Sequence, residues 1–173
     1  MTSCEHTAMD RAKAMGFDTP AYHGAKSPDN IEKKLTSSQD PSFSTSDQRI
    51  ASSYADNEGG AVYPLLVNKG NSTDIGWGCK QFSTPDRNLF REYMKAKRSG
   101  YDSAHVKEIQ DHLQGIDVTP HDVLINFTPQ NIRSRFAAFD PMQRNSANIL
   151  AGGAAGGIGI NVLYDLMQQE EYQ

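Results

Sequence analysis

The order of apolar runs and helix signals along the chain constrains the fold most. Strand-like runs and helix signals follow one another without the regular alternation that a doubly wound parallel sheet requires. No G-x-G-x-x-G motif follows a strand, which argues against a Rossmann dinucleotide site. The sequence therefore predicts an α+β fold, with strands at residues 21–23, 43–46, 62–67, 101–109 and 123–127.

Capping residues mark the helix ends. Residues 7–15 have helix-forming composition and stop at Gly16, which favours termination. Ser46 or Asp47 can cap a helix that runs through Tyr54. A further helix is predicted to start at residues 84–86 and to end at residues 99–100. Its apolar residues are predicted to form one face: Leu89, Phe90, Tyr93 and Met94.

Two segments, residues 26–42 and 110–120, are predicted to be loops, the first because it is rich in Ser, Asp and Pro. A long irregular segment inside a compact domain usually serves a site. Pro64 interrupts the predicted strand 62–67, so it must lie at an edge or a bulge, because proline cannot donate to a ladder.

Composition limits the functional classes. The chain has 173 residues, enough for one domain with a sizeable core. Its first residues lack the apolar run of a secretory signal, which indicates a cytoplasmic start. Cys4 and Cys79 are expected to be reduced thiols, and no histidine or cysteine spacing indicates a metal site. The formal charge of −4 does not indicate a nucleic-acid partner, and the basic run at residues 95–98 fits the end of a helix.

Two short motifs carry the functional signal. Tyr22-His23-Gly24 is followed by an aromatic strand beginning at Phe43, and Tyr54 lies eleven residues after Phe43. The pair resembles the nicotinamide-binding half of the ADP-ribosyltransferases. Poly(ADP-ribose) polymerases use the same separation between the aromatic residue of their strand and the tyrosine that stacks on nicotinamide.

The resemblance extends to a subfamily. Residues 15–24 and 129–141 resemble the two ends of the ADP-ribosyltransferase-like module of phage and mobile-element polyvalent proteins, which would cover roughly residues 8–141. It implies two small antiparallel or mixed sheets flanked by helices, within residues 1–145. Residues 146–173 would then be a glycine-rich apolar tail.

The resemblance also implies roles for individual residues, with NAD as the substrate and no metal. His23 would hydrogen-bond the ribose hydroxyls, and Gly24 would let its backbone approach the carboxamide without a Cβ in the way. Tyr54 would stack on the nicotinamide ring, and Phe43 would close the pocket. Tyr22 and Ser44 belong to the same predicted cofactor-binding set. Outside this family, such a histidine is often a hydrogen-bonded residue of the interior and such a tyrosine part of the core.

The third catalytic element departs from the family pattern. Active members carry a Glu at the entry of a late strand, whereas this chain has Thr119-Pro120-His121-Asp122 before the apolar run. Asp122 is the nearest carboxylate and the predicted third catalytic residue, although it is one methylene shorter. Glu108 and His121 are the other candidates, and Asp122 could equally be an ordinary strand-entry residue.

Three functions remain open. The first is NAD-dependent transfer of ADP-ribose to a host protein or another macromolecule in the host cytoplasm, with release of nicotinamide. The second is a structural or ejected phage virion protein with a degenerate catalytic site, in contact with other virion proteins. The third is an NAD glycohydrolase, in which water is the nucleophile. Residues 149–167 number nineteen and are glycine-rich, which favours a tail or an assembly contact over a membrane span.

Overall fold

The structure, a computed structural model, describes residues 7–27, 31–55, 60–76, 81–82, 87–111 and 120–150. Helices and strands are mixed within these ranges, which confirms the predicted α+β class. Among the helices described, none combines the length and apolarity that crossing a bilayer requires. The helices are α1 (Ala8–Ala14), α2 (Ile31–Leu35), α3 (Gln48–Tyr54) and α4 (Arg87–Arg98).

The described strands form one hydrogen-bonded sheet with the order β4-β6-β7-β2-β1-β3-β8. Neighbours along this path are antiparallel except β4 and β6, which are parallel, and the short β5 also pairs in parallel with β6. The strands are β1 (Thr19–Ala25), β2 (Ser42–Thr45), β3 (Ala61–Val67), β4 (Ser72–Gly76), β5 (Gln81–Phe82), β6 (Ser103–Asp111), β7 (His121–Asn126) and β8 (Ile132–Ser134).

Local sequence explains how α1 and β1 are joined. The Thr7 hydroxyl accepts from the Asp10 backbone N–H, and the Asp10 carboxylate accepts from the Thr7 N–H, which is a capping box. Gly16 ends the helix with a φ of +85°, as predicted. Phe17 then packs against Phe139, with ring centroids 5.5 Å apart, and anchors the start of β1 to the carboxy-terminal segment.

Pro64 lies where the sequence predicted, at a place without a ladder partner for its nitrogen. β8 pairs with Leu65, Leu66 and Val67 of β3, so its pairing stops just short of Pro64. The Pro64 carbonyl accepts from Arg135 N–H at 3.0 Å and therefore faces the β8 side. The proline thus sits beyond the paired part of that edge, where no strand requires an N–H from it.

Helix α4 packs on β6 and β7. Leu89 and Ala96 of α4 are buried in one apolar cluster with Val106 and Ile109 of β6 and with Ile125 of β7. A second apolar cluster joins β1 and β3 to α2, through Ala21, Leu65 and Leu35. Leu124 of β7 belongs to this second cluster and its neighbour Ile125 to the first, so the two clusters lie on opposite faces of the sheet at β7.

Three expectations from the sequence are corrected. The strands form one continuous path instead of two separate sheets, because β1 and β2 still meet at one pair, Tyr22 with Thr45. The predicted loop 26–42 contains α2, whose Ile31 and Leu35 are both buried. Phe90 does not share the buried face of α4; it is 54% exposed.

Several predicted features fall outside the described residues. These are the start of α4 at residues 84–86, most of the loop 110–120, both cysteines and the glycine-rich segment from residue 151 onward. The first residues assigned to the tail are described, and they pack on the domain. Ile149 is buried and its carbonyl accepts from Ser134 N–H at 2.8 Å.

Candidate functional site

The β1–β2 junction opens into a cleft. Among the described residues these strands pair only at Tyr22 and Thr45; continued pairing would have joined His23 to Ser44 and then Gly24 to Phe43. We call the stretch that begins at this last pair, from Tyr22 to Gly24 on β1 and from Phe43 to Thr45 on β2, the seam. A cleft of about 450 Å³ lies along it, which is the size of a small-molecule site.

The backbone of Gly24 faces the seam. Because the Pro64 carbonyl points to β8, the pair Tyr22–Pro64 is the kind that exchanges no hydrogen bonds between β1 and β3. The polar groups of Tyr22 therefore point toward β2. Backbone direction repeats every second residue, so the N–H and C=O of Gly24 point the same way. They lie where β2 has diverged, and a ligand in the cleft could pair with them.

His23 spans the seam with one ring nitrogen. Nδ1 lies 2.6 Å from the Phe43 carbonyl oxygen. A carbonyl can only accept, so Nδ1 carries the proton and Nε2 is an acceptor in the neutral ring. Burial lowers the pKa of His23 below its ordinary 6.5, and the charge of Lys34 lowers it further, against the opposing effect of the bond to Phe43.

The second ring nitrogen of His23 is the unusual one. Nε2 is buried and has no hydrogen-bond partner among the described residues. An unsatisfied buried acceptor costs roughly 1–3 kcal/mol, so a ligand that donates a hydroxyl to it would recover that cost. The site therefore favours a ligand with a hydroxyl group.

Gly24 also allows α3 to approach β1. A Cβ built at Gly24 would lie 1.9 Å from the Ala51 carbonyl oxygen and 3.0 Å from the Tyr54 Cβ. Only a residue without a side chain fits, and the contact brings the last turn of α3 to the cleft. Asp47 caps this helix by accepting from Arg49 N–H at 2.9 Å, as one of the two predicted capping residues.

Tyr54 and Phe43 line the same cleft from different elements. Tyr54, at the end of α3, is 43% exposed, and Phe43, on β2, is 38% exposed. Large aromatic side chains with this exposure present ring faces or edges to a ligand. Together with Tyr22, His23, Gly24 and Ser44, they put the whole predicted cofactor-binding set along one cleft.

Asp122 is not in this cleft. Side chains of β7 alternate, and His121 and Val123 line the cleft while Asp122 points to the other face of the strand. There its carboxylate contacts His105 Nε2 at 2.9 Å and accepts from the Glu108 N–H at 3.2 Å. The structure thus separates Asp122 from the other predicted site residues and brings His121 to them.

A β-bulge explains why Glu108 is also outside the cleft. The register between β6 and β7 shifts between Val106 and Ile109, so β6 has one extra residue there. Glu108 takes a φ of +56°, which is rare outside glycine. The extra residue keeps Ile109 on the cleft side, opposite His121, while Glu108 is exposed and absent from the lining.

Two charged lining residues were missed by sequence reasoning. Lys34 and Asp40 both line the cleft, and both come from the segment predicted to be a loop. The four-residue spacing of Ile31 and Leu35 was the available signal, since it indicates one buried helical face and places Lys34 beside it. The cleft therefore combines a mainly apolar lining with a cation, a carboxylate and two histidines.

Within the described ranges, no three His, Cys, Asp or Glu side chains are grouped so that they could hold a metal ion. No protein-family model matches this chain, and no curated protein or solved structure matches it.

Proposed function

We propose that the chain binds NAD in the seam cleft and transfers its ADP-ribose to an acceptor, with release of nicotinamide. The observation that carries this proposal is His23, whose Nδ1 is held by the Phe43 carbonyl while Nε2 is buried and has no partner in the described part of the chain. An imidazole fixed in this way presents one acceptor to a hydroxyl-bearing ligand. Ribose hydroxyls are donors of that kind, and the resemblance to ADP-ribosyltransferases gives His23 the same task.

The neighbouring groups suit the nicotinamide end of NAD. The backbone N–H and C=O of Gly24 offer the donor and acceptor that a carboxamide needs. Tyr54 offers an aromatic ring for stacking, and Phe43 forms the facing wall. The rest of the lining is largely apolar, which excludes water from the ring. These groups would hold nicotinamide while its bond to ribose breaks.

The reaction would break the glycosidic bond between nicotinamide and the C1′ carbon of ribose. Nicotinamide leaves with the bonding electron pair, and the sugar develops oxocarbenium character. The acceptor's nucleophilic atom then bonds to C1′ and loses its proton. His121 is the titratable side chain of the predicted third set that lines the cleft. We therefore assign to His121 the third catalytic role that was first predicted for Asp122, and it would take that proton.

One observation favours the second candidate, a virion structural or ejected protein with a degenerate site. The predicted catalytic carboxylate, Asp122, is turned away from the cleft and bonded to His105 and to the Glu108 N–H. In that case the cleft would be retained for packing or binding and would not turn over NAD.

The test uses a variant that separates the two nitrogens of His23. His23→Asn keeps an amide donor near the position of Nδ1, so the bond to Phe43 can persist, but it removes Nε2. We expect wild type to bind NAD in calorimetry and to release nicotinamide. His23→Asn should reduce release by about a hundredfold, the usual effect of losing one such interaction in a transition state. Asp122→Asn should leave NAD affinity unchanged.

The outcomes distinguish the candidates. Labelled ADP-ribose on a macromolecule supports the transferase, and free ADP-ribose alone supports the glycohydrolase. A folded wild-type protein that neither binds NAD nor releases nicotinamide would contradict the proposal and favour the structural role. Unchanged release in His23→Asn would show that Nε2 has no part in the reaction.

A further inference from the structure

A row of exposed aromatic residues continues outward from the cleft. Phe43 and Tyr54, which line it, are 38% and 43% exposed, and Phe90 on α4 is 54% exposed. The Tyr93 ring meets Phe43 edge-on at 5.7 Å and Phe90 at 5.3 Å. Phe43, Tyr93 and Phe90 therefore form a continuous aromatic surface from the cleft to the outside of α4. We call these three residues the aromatic row.

Basic residues continue this surface around α4. Successive residues of a helix are turned by about 100°. Leu89 is buried, and Phe90 is one step around from it. Arg98 and Lys95 follow in the same direction, about 80° and 140° beyond Phe90. Both are exposed. Around this one helix, the buried side at Leu89 is followed by the aromatic Phe90 and then by the cations Arg98 and Lys95.

The charge of α4 contrasts with that of the whole chain. The helix contains five Lys or Arg residues and one Glu, a net charge of +4. Since the whole chain carries −4, the remaining residues carry −8. Positive charge is therefore concentrated on the helix beside the cleft, in a chain that is otherwise strongly acidic. Arg91 is the one described basic residue of α4 in an ion pair, with Glu92 at 3.6 Å.

We propose that the aromatic row and the basic side of α4 bind single-stranded nucleic acid. Unpaired bases stack on exposed aromatic rings, while nearby cations neutralise the phosphates that join them. An acidic peptide would use the cations but not the rings, and an apolar peptide would use the rings but not the cations. Duplex is disfavoured because its bases are stacked internally and cannot reach the rings.

The surface would deliver this strand to the proposed reaction, and to that extent the inference rests on the proposed function. Phe43 belongs both to the aromatic row and to the cleft lining, so a base stacked on it lies at the cleft mouth. A nitrogen of that base would bond to C1′ as the nicotinamide bond breaks. Nicotinamide takes the electron pair, and the proton of the base nitrogen passes to His121 or to solvent. The acceptor class is then a nucleobase in a single strand.

The binding test needs no NAD, so it is independent of turnover. The probe is a fluorescent oligothymidylate of about 15 nucleotides, because stacking sites of this kind cover about 4–16 nucleotides. Fluorescence anisotropy at several salt concentrations gives the affinity. Phe90→Ala should weaken binding by about fivefold or more, since one stacked base contributes at least about 1 kcal/mol. Lys95→Ala with Arg98→Ala should reduce the slope of log K against log salt by about 1.4.

Matched controls lie far along the sheet from α4. Met142→Ala removes a large apolar side chain that is 88% exposed, and Lys13→Ala with Arg144→Ala removes two exposed cations. Both controls should bind the probe as wild type does. Equal losses in test and control variants, or no binding by wild type at low salt, would overturn the inference. If NAD is turned over but the probe does not bind, the proposed function survives and the acceptor proposed here is wrong.

Discussion

Arg133 and His23 both have buried side-chain nitrogens, but they differ in how many of those nitrogens are hydrogen-bonded. The Arg133 side chain is 1% exposed and donates to the carbonyls of Ile132, Gln143, Arg144 and Ser146, at 2.6–3.3 Å. His23 satisfies Nδ1 with one carbonyl and leaves Nε2 without a described partner. A closed set of bonds stabilises a fold, whereas an open one is available to a ligand.

The surroundings of the two residues explain the difference. Arg133 lies on β8, which pairs with β3 at every residue, and its guanidinium stands 5.1 Å from the Phe17 ring centre. Burial lowers the pKa of Arg133 to about 10, so the side chain stays charged at neutral pH and needs those carbonyls. His23 lies at the seam, where strand pairing stops. Arg133 therefore holds residues 143–146 against β8, whereas the strand edge beside His23 is left open.

The largest effect is expected when the closed set of bonds is broken. Arg133→Met fills a similar volume but leaves at least one buried carbonyl without its donor, and we expect a loss of about 3 kcal/mol in the free energy of unfolding. Arg133→Lys keeps the charge but cannot reach four carbonyls, and it should lose about half as much. Urea unfolding measures both.

The comparison fails if Arg133→Met is as stable as wild type. The carbonyl contacts would then contribute little, and Arg133 would need another explanation. The variant should still bind NAD with wild-type affinity in its folded fraction, because β8 lies two strands away from the seam side of β1. A selective loss of NAD affinity without a loss of stability would mean that Arg133, like His23, serves ligand binding.

A smaller effect is expected at Gly24. A side chain at this position would fill space beside the seam, and the substitution therefore tests whether that space is needed for binding. A methyl at this position would meet the Ala51 carbonyl oxygen, so α3 must move. We expect Gly24→Ala to cost about 2 kcal/mol and to reduce NAD affinity as Tyr54 shifts. Gly76→Ala is the matched control, because its Cβ meets nothing within 4 Å. That variant should change stability by no more than about 0.5 kcal/mol.

Thermal unfolding gives the stability of the two glycine variants, and NAD titration gives their affinity. If Gly24→Ala and Gly76→Ala behave alike, the close approach of α3 to β1 is not the reason for glycine in the Tyr22-His23-Gly24 motif. If Gly24→Ala loses NAD affinity at unchanged stability, the added methyl obstructs the ligand itself and does not act by displacing α3.

Local signals in the sequence predicted the ends of two helices. The end of α1 at Gly16 and the cap of α3 at Asp47 each depend on neighbours close in the chain. His23 and Tyr54 were paired by their motifs, and they do line one cleft. The helix ends follow from short-range chemistry, which a sequence displays directly, whereas the pairing of His23 with Tyr54 came from the family resemblance.

Features set by distant partners were not predictable. A bulge at Glu108 changes which side chains of β6 face the cleft. No glycine at that position indicates the bulge in the sequence. The alternation of β7 gives His121 and Asp122 opposite faces, but the sequence does not say which face is the cleft. Arg133 is a residue type that is almost always exposed, so its burial depends on carbonyls ten or more residues away.

The smallest effect is a pH dependence of the free energy of unfolding, which His23 should produce and Arg133 should not. The folded pKa of His23 lies below its ordinary 6.5, mainly because the ring is buried. As the pH falls below about 6.5, the unfolded chain takes up a proton before the folded chain does, so stability present above that pH is lost. The slope for this one proton is at most about 1.4 kcal/mol per pH unit. Arg133 adds no slope here, since it is charged in both states well below pH 10.

Comparison of wild type with His23→Asn isolates this contribution from the other histidines. Urea unfolding of both proteins at several pH values between about 5 and 7.5 should give a steeper acid-side loss in wild type. NAD affinity of wild type should fall only at the acid end of this range, because burial lowers the pKa of His23 below 6.5 and protonated Nε2 can no longer accept a hydroxyl. Equal slopes in the two proteins would mean that His23 takes up its proton as easily in the folded chain as in the unfolded one. The seam would then be open to water, and the distinction between a satisfied Arg133 and an unsatisfied His23 would no longer identify the binding group.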